Sequence, residues 1–544
     1  MSLQTRPIPS IPDLTATVAR RAFRKGNVYM QMRDVLGTFF TNDQFVDLYP
    51  ADGQPGYAPW RLALVSVMQF AENLTDRQAA DAVRSRIDWK YALSLELTDE
   101  GFDFSVLSEF RARLLEHEAG ERLLNTLLEQ FVEAGLLSSG GKQHTDSTYV
   151  LASVRDLNRL ELAGKTLQAA LDALAEAAPL WLREWVAPEW YSRYGQPLTE
   201  FRLPQKAAER EALVVQIGWD GIMLLEQVYF SPSTPPEIHQ LAAVETLRQI
   251  WLQQFVLMED RLRQRAREEM PPAARLLQSP FDLDARYSYK REREWMGYKV
   301  HLTETCADDG PHLITNVHTV NATEPDVDAV DPIHNDLQQR DLLPDDHLVD
   351  MGYTSAPLLY ASQQAYGVNL LGPVVEKHTW QQVTGYEIDA FTIDWEQRTV
   401  TCPQGKVSQP WTMRDHRRDH ELTRVKFSTG DCRPCPVRPL CTRHDRRTLS
   451  FHEQPLFEAV QARKREQHST EWRKQYGKRA GIEGTISQCV FALDMRRSRY
   501  RGLAKTHLQF VLTAAAMNLS RVVNWLNDVP RAATRTTRFG LLAA

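Results

Sequence analysis

The sequence predicts an α/β fold in which a mixed β-sheet carries helices on its faces. The first observation is the run KQHTDSTYVLAS at 142–153, whose alternating Thr, Tyr and Val residues are typical of a strand. The second is the β-β-α-β-α-β order of strand-like and helix-like segments between Tyr298 and Val374. The third is helical periodicity before the first strand and after about residue 455. Elements in this order are expected to pack as a sheet with helices against it.

The N-terminal part of the chain precedes this sheet and is predicted to be helical. Residues 1–28 carry three prolines and little periodicity, and we expect them to form a flexible arm. In the helical domain at 29–138, Pro59 begins one helix and Thr75 caps the next, because each residue suits the first turn of a helix. A bundle of short helices with Arg-rich faces suits either DNA binding or dimerisation, and the sequence leaves both interpretations open.

The predicted sheet and the last helices form a core that two insertions interrupt. The first insertion has a helical pattern throughout, including 236–278. The second insertion is polar, contains four of the six cysteines and breaks the pattern. The tail is rich in Thr, Arg and Ala and is predicted to be mobile. The predicted boundaries are 139–154, 286–375 and 456–526 for the core, 155–285 for the helical insertion, 376–455 for the Cys-containing insertion and 527–544 for the tail.

The composition is typical of a globular protein, but the charge is unevenly distributed. Hydrophobic residues make up 43% of the 544 residues and charged residues 25%. No apolar run reaches the length of a membrane span and no signal-peptide core is present, so we expect a cytoplasmic protein without a membrane partner. The net charge is −6, yet residues 411–505 hold 22 Lys and Arg against 11 Asp and Glu. This basic block indicates a polyanionic partner or, alternatively, a solvated charged surface.

Three carboxylates lie at positions that suit a metal-dependent site. Asp146 is in the first strand, Asp350 is at the end of a later strand (HLVDMGY) and Glu483 is on a helix. Tyr476 and Arg479 share the helical face of Glu483, because steps of four and seven residues return to nearly the same angle. If the two strands are neighbours, the three carboxylates meet at one edge of the sheet, where divalent cations offset their repulsion. The alternative is an ordinary Glu–Arg pair on a helix surface.

Three blocks of the sequence resemble a known family. They are HTDSTYVLASVRDLNRLEL, HLVDMGYTSAPLL and RAGIEGTISQCVFALDMRRSRYRGLAKTHLQFVLTAAAMNL. The blocks resemble the acidic blocks of DDE-type insertion-sequence transposases with an RNase H-like catalytic domain, and most closely those of the insertion-sequence 1182 group. Residues 45–135 also resemble the helical N-terminal domain of such bacterial transposases. The resemblance covers about residues 30 to 526 and implies an RNase H-like mixed sheet with flanking helices, preceded by an all-α N-terminal domain.

The resemblance also implies the roles of several residues. It implies that Asp146, Asp350 and Glu483 are catalytic and hold Mg²⁺ or Mn²⁺, which would activate a water or a 3′-hydroxyl and stabilise the leaving oxygen. Tyr476 and Arg479 match family positions that contact the DNA backbone.

One family position departs from the pattern, because the Lys expected there is Val490 in this chain. We assign the phosphate contact of that Lys to one of three nearby cations, Arg496, Arg497 or Lys505. Other acids near the blocks are interpreted as caps or surface charges, namely Asp156, Asp326 and Asp494.

Four cysteines are candidates for a structural Zn²⁺ site. Cys432-x-x-Cys435 is followed by Cys441, and Cys402 lies upstream in CPQG. Tetrahedral Zn²⁺ takes four soft ligands, and a two-residue spacing lets one turn present two of them. A histidine is an alternative to one thiolate, with His416, His420 and His444 as candidates. The other interpretation is a set of reduced thiols in a loop-rich insertion.

The sequence therefore predicts a bacterial DNA transposase that binds terminal inverted repeats, cleaves at the element ends and joins 3′-hydroxyls to target DNA. Its expected partner is double-stranded DNA, and a homodimer assembled on DNA is expected because two ends require two active sites. A nucleoid-associated location in the cytoplasm follows from these expectations. Two alternatives stay open, a structure-selective nuclease on the same fold and a non-catalytic, transposase-derived DNA-binding protein.

Overall fold

The computed structural model describes residues 2–3, 6–198, 203–290, 292–376, 379–411, 414–417, 420–531, 539 and 542, excluding the side chains of 414–417, 420 and 421. Within these ranges the chain is a mixed α/β protein, as the sequence predicts. The strands are β1 (Lys142–Leu151), β2 (Phe255–Met258), β3 (Arg261–Gln264), β4 (Arg286–Lys290), β5 (Arg293–Thr305), β6 (Ile314–Asn321), β7 (Asp346–Leu348), β8 (Asn369–Leu371), β9 (Thr392–Asp394), β10 (Thr399–Thr401), β11 (Arg414–Arg417), β12 (His420–Lys426) and β13 (Thr448–Phe451).

The helices of the described ranges fall into three groups along the chain. Those before β1 are α1 (Asp13–Ala22), α2 (Val28–Leu36), α3 (Pro59–Ala71), α4 (Asp76–Ser85), α5 (Ile87–Ala92), α6 (Ser105–Glu116) and α7 (Arg122–Glu133). The first insertion contains α8 (Arg159–Ala177), α9 (Pro179–Trp185), α10 (Pro188–Tyr194), α11 (Ala207–Phe230) and α12 (Ala242–Gln254). The later helices are α13 (Val330–Gln339), α14 (Ala356–Tyr366), α15 (Trp380–Thr384), α16 (Thr429–Cys432), α17 (Arg438–Cys441), α18 (Gln454–Glu466), α19 (Thr470–Tyr476), α20 (Gly481–Leu493) and α21 (Leu503–Leu526).

One sheet positions the candidate site. Its strand order is β4-β5-β1-β7-β8, and β6 also pairs with β5. β1, β7 and β8 are parallel to one another, whereas β5 is antiparallel to β1 and β6 is antiparallel to β5. The sheet is therefore mixed, as predicted, and its segments follow the predicted β-β-α-β-α-β order. β4 is an additional strand that the sequence analysis did not predict.

Helix α21 connects the N-terminal helices to the sheet. Every residue from Leu508 to Leu519 is buried, as expected of a helix that is largely apolar around its whole circumference. α21 packs against β6 in the sheet and against α2, α3 and α7 in the N-terminal region. Buried residues of the sheet and of the N-terminal helices form one continuous core. The N-terminal helices therefore share their core with the sheet.

The two insertions each have a smaller core of their own. In the first insertion, the helical pattern predicted over 236–278 is wrong after α12, because β2 and β3 form an antiparallel hairpin there. The turn between these strands consists of Glu259 and Asp260, both with positive φ. Two-residue hairpin loops favour this backbone conformation, which helical periodicity does not reveal.

The N-terminal arm predicted over 1–28 contains a packed helix, α1, and is corrected accordingly. α1 packs against α5, its Ala19 is fully buried, and the Thr15 hydroxyl donates a hydrogen bond to the Leu95 carbonyl at 2.8 Å. The three prolines of this segment, Pro7, Pro9 and Pro12, all precede the first residue of α1, so they do not interrupt the helix. Most of the predicted mobile tail, 532–538, 540, 541, 543 and 544, lies outside the described residues. Among the helices in the described ranges, none has the length and apolarity needed to cross a membrane.

A buried charge network attaches the start of α20 to the sheet. His144 of β1 contacts the Glu304 carboxylate through Nε2 at 3.0 Å and the Lys478 carbonyl through Nδ1 at 3.2 Å. Arg521 of α21 donates to the other oxygen of Glu304 at 2.6 Å. Gly481 permits the close approach, because a Cβ there would lie 3.0 Å from Cε1 of His144. The α-helix begins at Gly481, directly after a 3₁₀ helix over Gly477–Ala480.

The same network shifts the pKa of both buried groups. Burial lowers the pKa of His144, but its interactions with Cys306 and Glu304 outweigh burial and raise the pKa to about 9. Burial raises the pKa of Glu304, but the charge of Arg521 and the hydrogen bond to His144 lower it to about 2. At neutral pH the pair is therefore ionised, and a protonated imidazole donates to both of its neighbours.

Asn518 is a second buried connection between α21 and the sheet. Its Oδ1 accepts a hydrogen bond from the Ile314 N–H at 2.7 Å, and its Nδ2 donates to the Ile314 carbonyl at 2.8 Å. Ile314 is the first residue of β6, next to an irregularity in the pairing with β5. The Asn518 amide thus supplies a hydrogen-bond partner to both backbone groups of Ile314.

Replacing Asn518 by Ala is expected to destabilise the protein by about 2–4 kcal/mol, because two buried backbone groups lose their partner. Urea unfolding followed by circular dichroism measures the change. Asn524→Ala, at an exposed position of the same helix, is the matched control and should stay within about 0.5 kcal/mol of the wild type. Equal effects of the two substitutions would contradict the role of Asn518.

The His144 network predicts a specific loss of stability at alkaline pH. Because the folded pKa is about 9 and the unfolded pKa is 6.5, the stabilisation is complete below pH 6.5 and is lost as the pH rises towards 9. The expected loss over this range is on the order of 2–3 kcal/mol. The free energy of unfolding, measured against pH, should lose this component in His144→Gln and keep it in His117→Gln, whose side chain is exposed. An unchanged pH profile in His144→Gln would refute the assignment.

Candidate active site

Two of the predicted acids are neighbours across adjacent parallel strands. β1 pairs with β7 through Lys142 with Asp346, and through His144 with Leu348. Continuing this register by two residues places Asp146 beside Asp350, just beyond the end of β7. Matched residues of parallel strands lie about 4.8 Å apart in the sheet and point to the same face. The structure therefore brings together two acids that are 204 residues apart in the sequence.

Each of these aspartates has a fixed orientation. The Asp350 carboxylate caps a short 3₁₀ helix, Met351–Tyr353, by accepting a hydrogen bond from the Gly352 N–H at 2.7 Å. The Asp146 carboxylate accepts from the Ser147 N–H at 2.7 Å. Burial raises the pKa of Asp146 and the charge of Asp350 adds to this, outweighing the lowering effects of Ser147 and Arg479. The folded protein therefore disfavours a negative charge at Asp146 unless a cation is near.

The third acid, Glu483, is joined to Asp146 through Arg479. The Arg479 guanidinium donates to Asp146 Oδ2 at 3.2 Å and to Glu483 Oε1 at 2.7 Å. Arg479 itself lies in a 3₁₀ helix, Gly477–Ala480, that leads directly into α20. Glu483 is 61% exposed, whereas Asp146 is 21% exposed. Asp146 and Glu483 line one cleft, whereas Asp350 lies next to Asp146 but outside the cleft lining. The three predicted acids are therefore near the same end of the sheet, and two of them share the cleft.

The cleft is lined by polar residues of β1 and by both polar and apolar residues of α20. Its floor contains Asp146, Ser147 and Thr148 of β1, and its helical wall is one side of α20. Arg496 completes the lining from the loop after α20. The helical wall comprises Glu483, Ile486, Ser487, Val490 and Phe491.

The three carboxylates have the donor chemistry that Mg²⁺ prefers. In the described part of the chain, no three His, Cys, Asp or Glu side chains lie close enough, as they stand, to hold one ion. In the cleft, the Arg479 guanidinium lies between Asp146 and Glu483 and neutralises them as a metal cation would. The donor set therefore fits a divalent cation when Arg479 gives up these contacts.

The predicted DNA-contacting residues have different surroundings. Tyr476 stacks on Trp472, with the ring centroids 4.6 Å apart, and the Arg479 guanidinium carbon lies 6.0 Å from the centre of the Tyr476 ring. Arg496 donates from Nε to the Thr148 hydroxyl at 3.2 Å, which holds its side chain in the cleft. Arg497 and Lys505 are exposed, outside the cleft lining.

Asp326 is predicted from the sequence to be a cap or a surface charge, and the structure corrects this prediction. Its carboxylate is 11% exposed and accepts a hydrogen bond from the Lys299 ammonium at 2.7 Å. Burial raises the pKa of Asp326, but Lys299 outweighs burial and lowers it. A Cβ on Gly352 would lie 3.0 Å from Asp350 and 3.2 Å from Asp326, so both acids flank the same turn. The signal that was missed is Lys299, a charged residue in the apolar strand GYKVHL.

The four cysteines of the second insertion line one cavity, although their sulfurs are not at metal-ligand distances as they stand. The pKa of Cys441 is raised by burial and by nearby charge on the other three thiols, which places all four in one neighbourhood. His444 is exposed and is not part of the lining. The side chains of His416 and His420 lie outside the description.

Two regions of the chain match transposase family models. Residues 401–523 match the Transposase DDE domain, and residues 18–113 match the Transposase domain (DUF772). The first match includes Glu483, whereas Asp146 and Asp350 lie outside both matches. Neither description names the insertion-sequence 1182 group. Comparison with curated proteins and with solved structures gave no match. The chain thus carries two regions similar to transposase domains, which support a DDE transposase.

Proposed function

We propose that this protein is a DNA transposase that binds terminal inverted repeats, cleaves at the element ends and joins the 3′-hydroxyls to target DNA. The observation that carries the proposal is the convergence of Asp146, Asp350 and Glu483 at one end of the sheet. The two transposase matches support the same class of activity. Three parallel strands beside an antiparallel pair are consistent with an RNase H-like core, which we propose as the fold of the catalytic region.

The proposed catalytic residues are the three acids, which would hold Mg²⁺ or Mn²⁺. When bound, these ions supply activation of a water or a 3′-hydroxyl and stabilisation of the leaving oxygen. The chain itself presents one buried acid with a raised pKa, Asp146, and one acid with a fixed orientation, Asp350. The exposed acid, Glu483, is on a helix and can adjust its side chain as the substrate enters.

Arg479 is proposed to change partners when DNA binds. In the structure its guanidinium contacts Asp146 and Glu483, which limits the repulsion between the acids. When cations take over that role, its two terminal nitrogens are free to donate to one phosphate, the bidentate geometry that arginine favours. Tyr476 lies against Arg479 and would limit the positions that its side chain adopts.

Arg496 is the residue that we favour for the phosphate contact of the missing Lys. It lines the cleft, whereas Arg497 and Lys505 are exposed outside it. Its guanidinium carbon lies 4.6 Å from the centre of the Tyr149 ring, and its Nε donates to Thr148. These two contacts fix the orientation of the Arg496 side chain and therefore of its two terminal nitrogens. A donor with a fixed orientation suits electrostatic stabilisation of a phosphate.

The proposed partner is double-stranded DNA, both the element ends and the target. Residues 411–505 carry 22 basic and 11 acidic residues, and this block includes Arg479, Arg496 and the helix of Glu483. A positive field around the cleft would attract a polyanion and would weaken with added salt. We propose a homodimer assembled on DNA, with one active site at each end, and a role for the N-terminal helices in DNA binding or dimerisation.

Neutralising the acids is expected to abolish cleavage without abolishing binding. Asp146→Asn, Asp350→Asn and Glu483→Gln should each reduce Mg²⁺-dependent nicking of a labelled element end by roughly 10³-fold or more, because each loses a proposed metal ligand. Gel-shift affinity for the same DNA should stay at the wild-type level. Glu471→Gln, an exposed acid on α19, is the control and should nick normally. Full activity in any of the three variants would overturn the assignment of that residue.

Neutralising Asp146 is also expected to leave thermal stability intact. The raised pKa of Asp146 means that its ionised form costs folding free energy, and this cost is present above the folded pKa. At pH 7 the Tm of Asp146→Asn should therefore equal or exceed that of the wild type, as differential scanning calorimetry can determine. A clear fall in Tm would indicate that Asp146 serves the fold and not a reaction.

Arg496→Ala is expected to reduce nicking by roughly 10- to 100-fold, because one positioned donor to the phosphate is lost. Lys505→Ala is the comparison, since it removes an exposed charge of the same sign nearby. Single-turnover nicking at saturating enzyme separates this effect from weaker binding. If both substitutions reduce the rate equally, the general field of the surface and not a contact of Arg496 is responsible.

A strand-transfer assay distinguishes the transposase from the two alternatives. A precleaved, labelled element end is mixed with the protein, Mg²⁺ and target plasmid, and joined products are resolved on a gel. Joined products that require Glu483 support the transposase. Nicking without joining favours a structure-selective nuclease, and binding without nicking favours a non-catalytic DNA-binding protein.

A further inference from the structure

Four free thiols from three separate segments surround one small cavity in the second insertion. Cys402, Cys432, Cys435 and Cys441 all line it, and the cavity volume is about 30 Å³. A space of this size accommodates one ion or one or two water molecules, and it is too small for an organic ligand. We infer that this cavity is a structural Zn²⁺ site with the four thiolates as its ligands.

The backbone around the cysteines forms the tight turns that such a site uses. The Gly405 N–H donates to the Cys402 carbonyl at 2.8 Å, and Gly405 has a φ of +72°, which glycine adopts without strain. The Cys435 N–H donates to the Cys432 carbonyl at 3.3 Å, so the C-x-x-C pair also spans one turn. Cys441 is the last residue of α17 and supplies the fourth thiol from a third segment. Two turns and one helix end thus bring the four cysteines to one cavity.

Basic side chains line the cavity and could compensate the negative charge of a zinc–thiolate group. Four thiolates and one Zn²⁺ carry a net charge of about −2, so nearby donors and cations are required. Arg447, Arg438 and Lys406 all line the cavity. Nε of Arg447 is a buried donor without an acceptor in the part of the chain that the structure describes. An ionised sulfur would satisfy this donor, whereas an apolar cavity would leave it unpaired.

The hydrophobic core of the second insertion is small. Among the described residues of 376–455, its strands form one two-stranded and one three-stranded sheet, and its buried apolar core residues are Phe391, Val400, Val425, Phe427, Leu449 and Phe451. A core of this size contributes little stability by itself, and small folds of this kind commonly depend on a metal ion or disulfides. All four cysteines are free, so a disulfide does not supply the cross-link. A metal ion bound by three segments would supply it.

Loading the site requires small side-chain movements. As they stand, no three of the sulfurs are close enough to share an ion. Each cysteine has a single rotatable side-chain bond, and rotation about χ1 is the movement by which the sulfurs would approach one another. Binding would release up to four thiol protons, and affinity would therefore fall at low pH.

Metal analysis of the full-length protein tests this inference. Protein purified under reducing conditions should contain about one zinc per chain by mass spectrometry of the metal. After chelation, titration with Co²⁺ should produce the intense visible bands of tetrahedral cobalt and a near-ultraviolet band from thiolate ligation, and Zn²⁺ should displace both. The Cys432→Ser, Cys435→Ser double variant should lose the metal and the bands.

Cys489→Ala is the matched control, because Cys489 is a buried free thiol outside the cavity and this variant should keep both signals. Chelation of the wild type should also increase proteolysis within 376–455, a measurement that does not depend on any variant folding. Failure of the reduced wild type to take up zinc or cobalt would overturn the inference, as would retention of metal by the double variant. Glu483→Gln should keep its zinc while losing nicking, so this inference and the proposed function fail separately.

Discussion

The candidate site depends on the register between the parallel strands β1 and β7. A shift of one residue would move Asp350 to the opposite face from Asp146, because side chains alternate along a strand. Buried polar contacts fix the register. The Thr145 hydroxyl contacts His347 Nε2 at 2.6 Å, and His347 Nδ1 contacts His334 Nε2 at 2.8 Å, all fully buried. A change of register would leave the polar groups of Thr145, His347 and His334 without hydrogen-bond partners in a low-dielectric interior. These buried hydrogen bonds therefore fix the relative positions of Asp146 and Asp350.

The helix that carries Glu483 is positioned by a different set of buried contacts. His144 is on the same strand as Asp146, two residues earlier, and it contacts the carbonyl of Lys478 immediately before the helix. Strand β1 therefore carries both Asp146, an acid of the cleft, and His144, which positions the helix that bears Glu483. Arg521 extends the network to α21, which also packs against the N-terminal helices. The N-terminal helices are thus connected to the helix that bears Glu483 through α21 and the buried ion pair of Glu304 and His144.

The order of elements in the sheet could be predicted from the sequence because alternation and periodicity are local signals. The location of Glu483 on a helix could be predicted for the same reason. The pairing of Asp146 with Asp350 could not, because register over 204 residues depends on contacts such as that between Thr145 and His347. The assignment of Asp146 and Asp350 to one site came instead from the resemblance to the transposase family.

Other features were missed because their signals are weak or non-local. The hairpin of β2 and β3 depends on positive φ at Glu259 and Asp260, residues that also suit a helix surface. α1 was missed because three prolines in residues 1–28 indicated a flexible arm, although all three precede the helix. The role of Asp326 depends on a partner, Lys299, that is 27 residues earlier in the chain and comes close only in the folded sheet.

Two neighbouring acids at this sheet end illustrate how environment assigns different roles to the same side chain. Asp326 and Asp350 flank the turn at Gly352, and Asp326 also lies 3.4 Å from the Ser147 hydroxyl. Lys299 compensates the charge of Asp326 and lowers its pKa, so this acid is stable as a carboxylate without any further cation. Asp146 has a raised pKa despite its contact with Arg479, so its charge is only partly compensated. Since groups whose environments separate their pKa values commonly have separate functions, we infer that Asp326 supports the turn, whereas the charge of Asp146 is available to a bound cation.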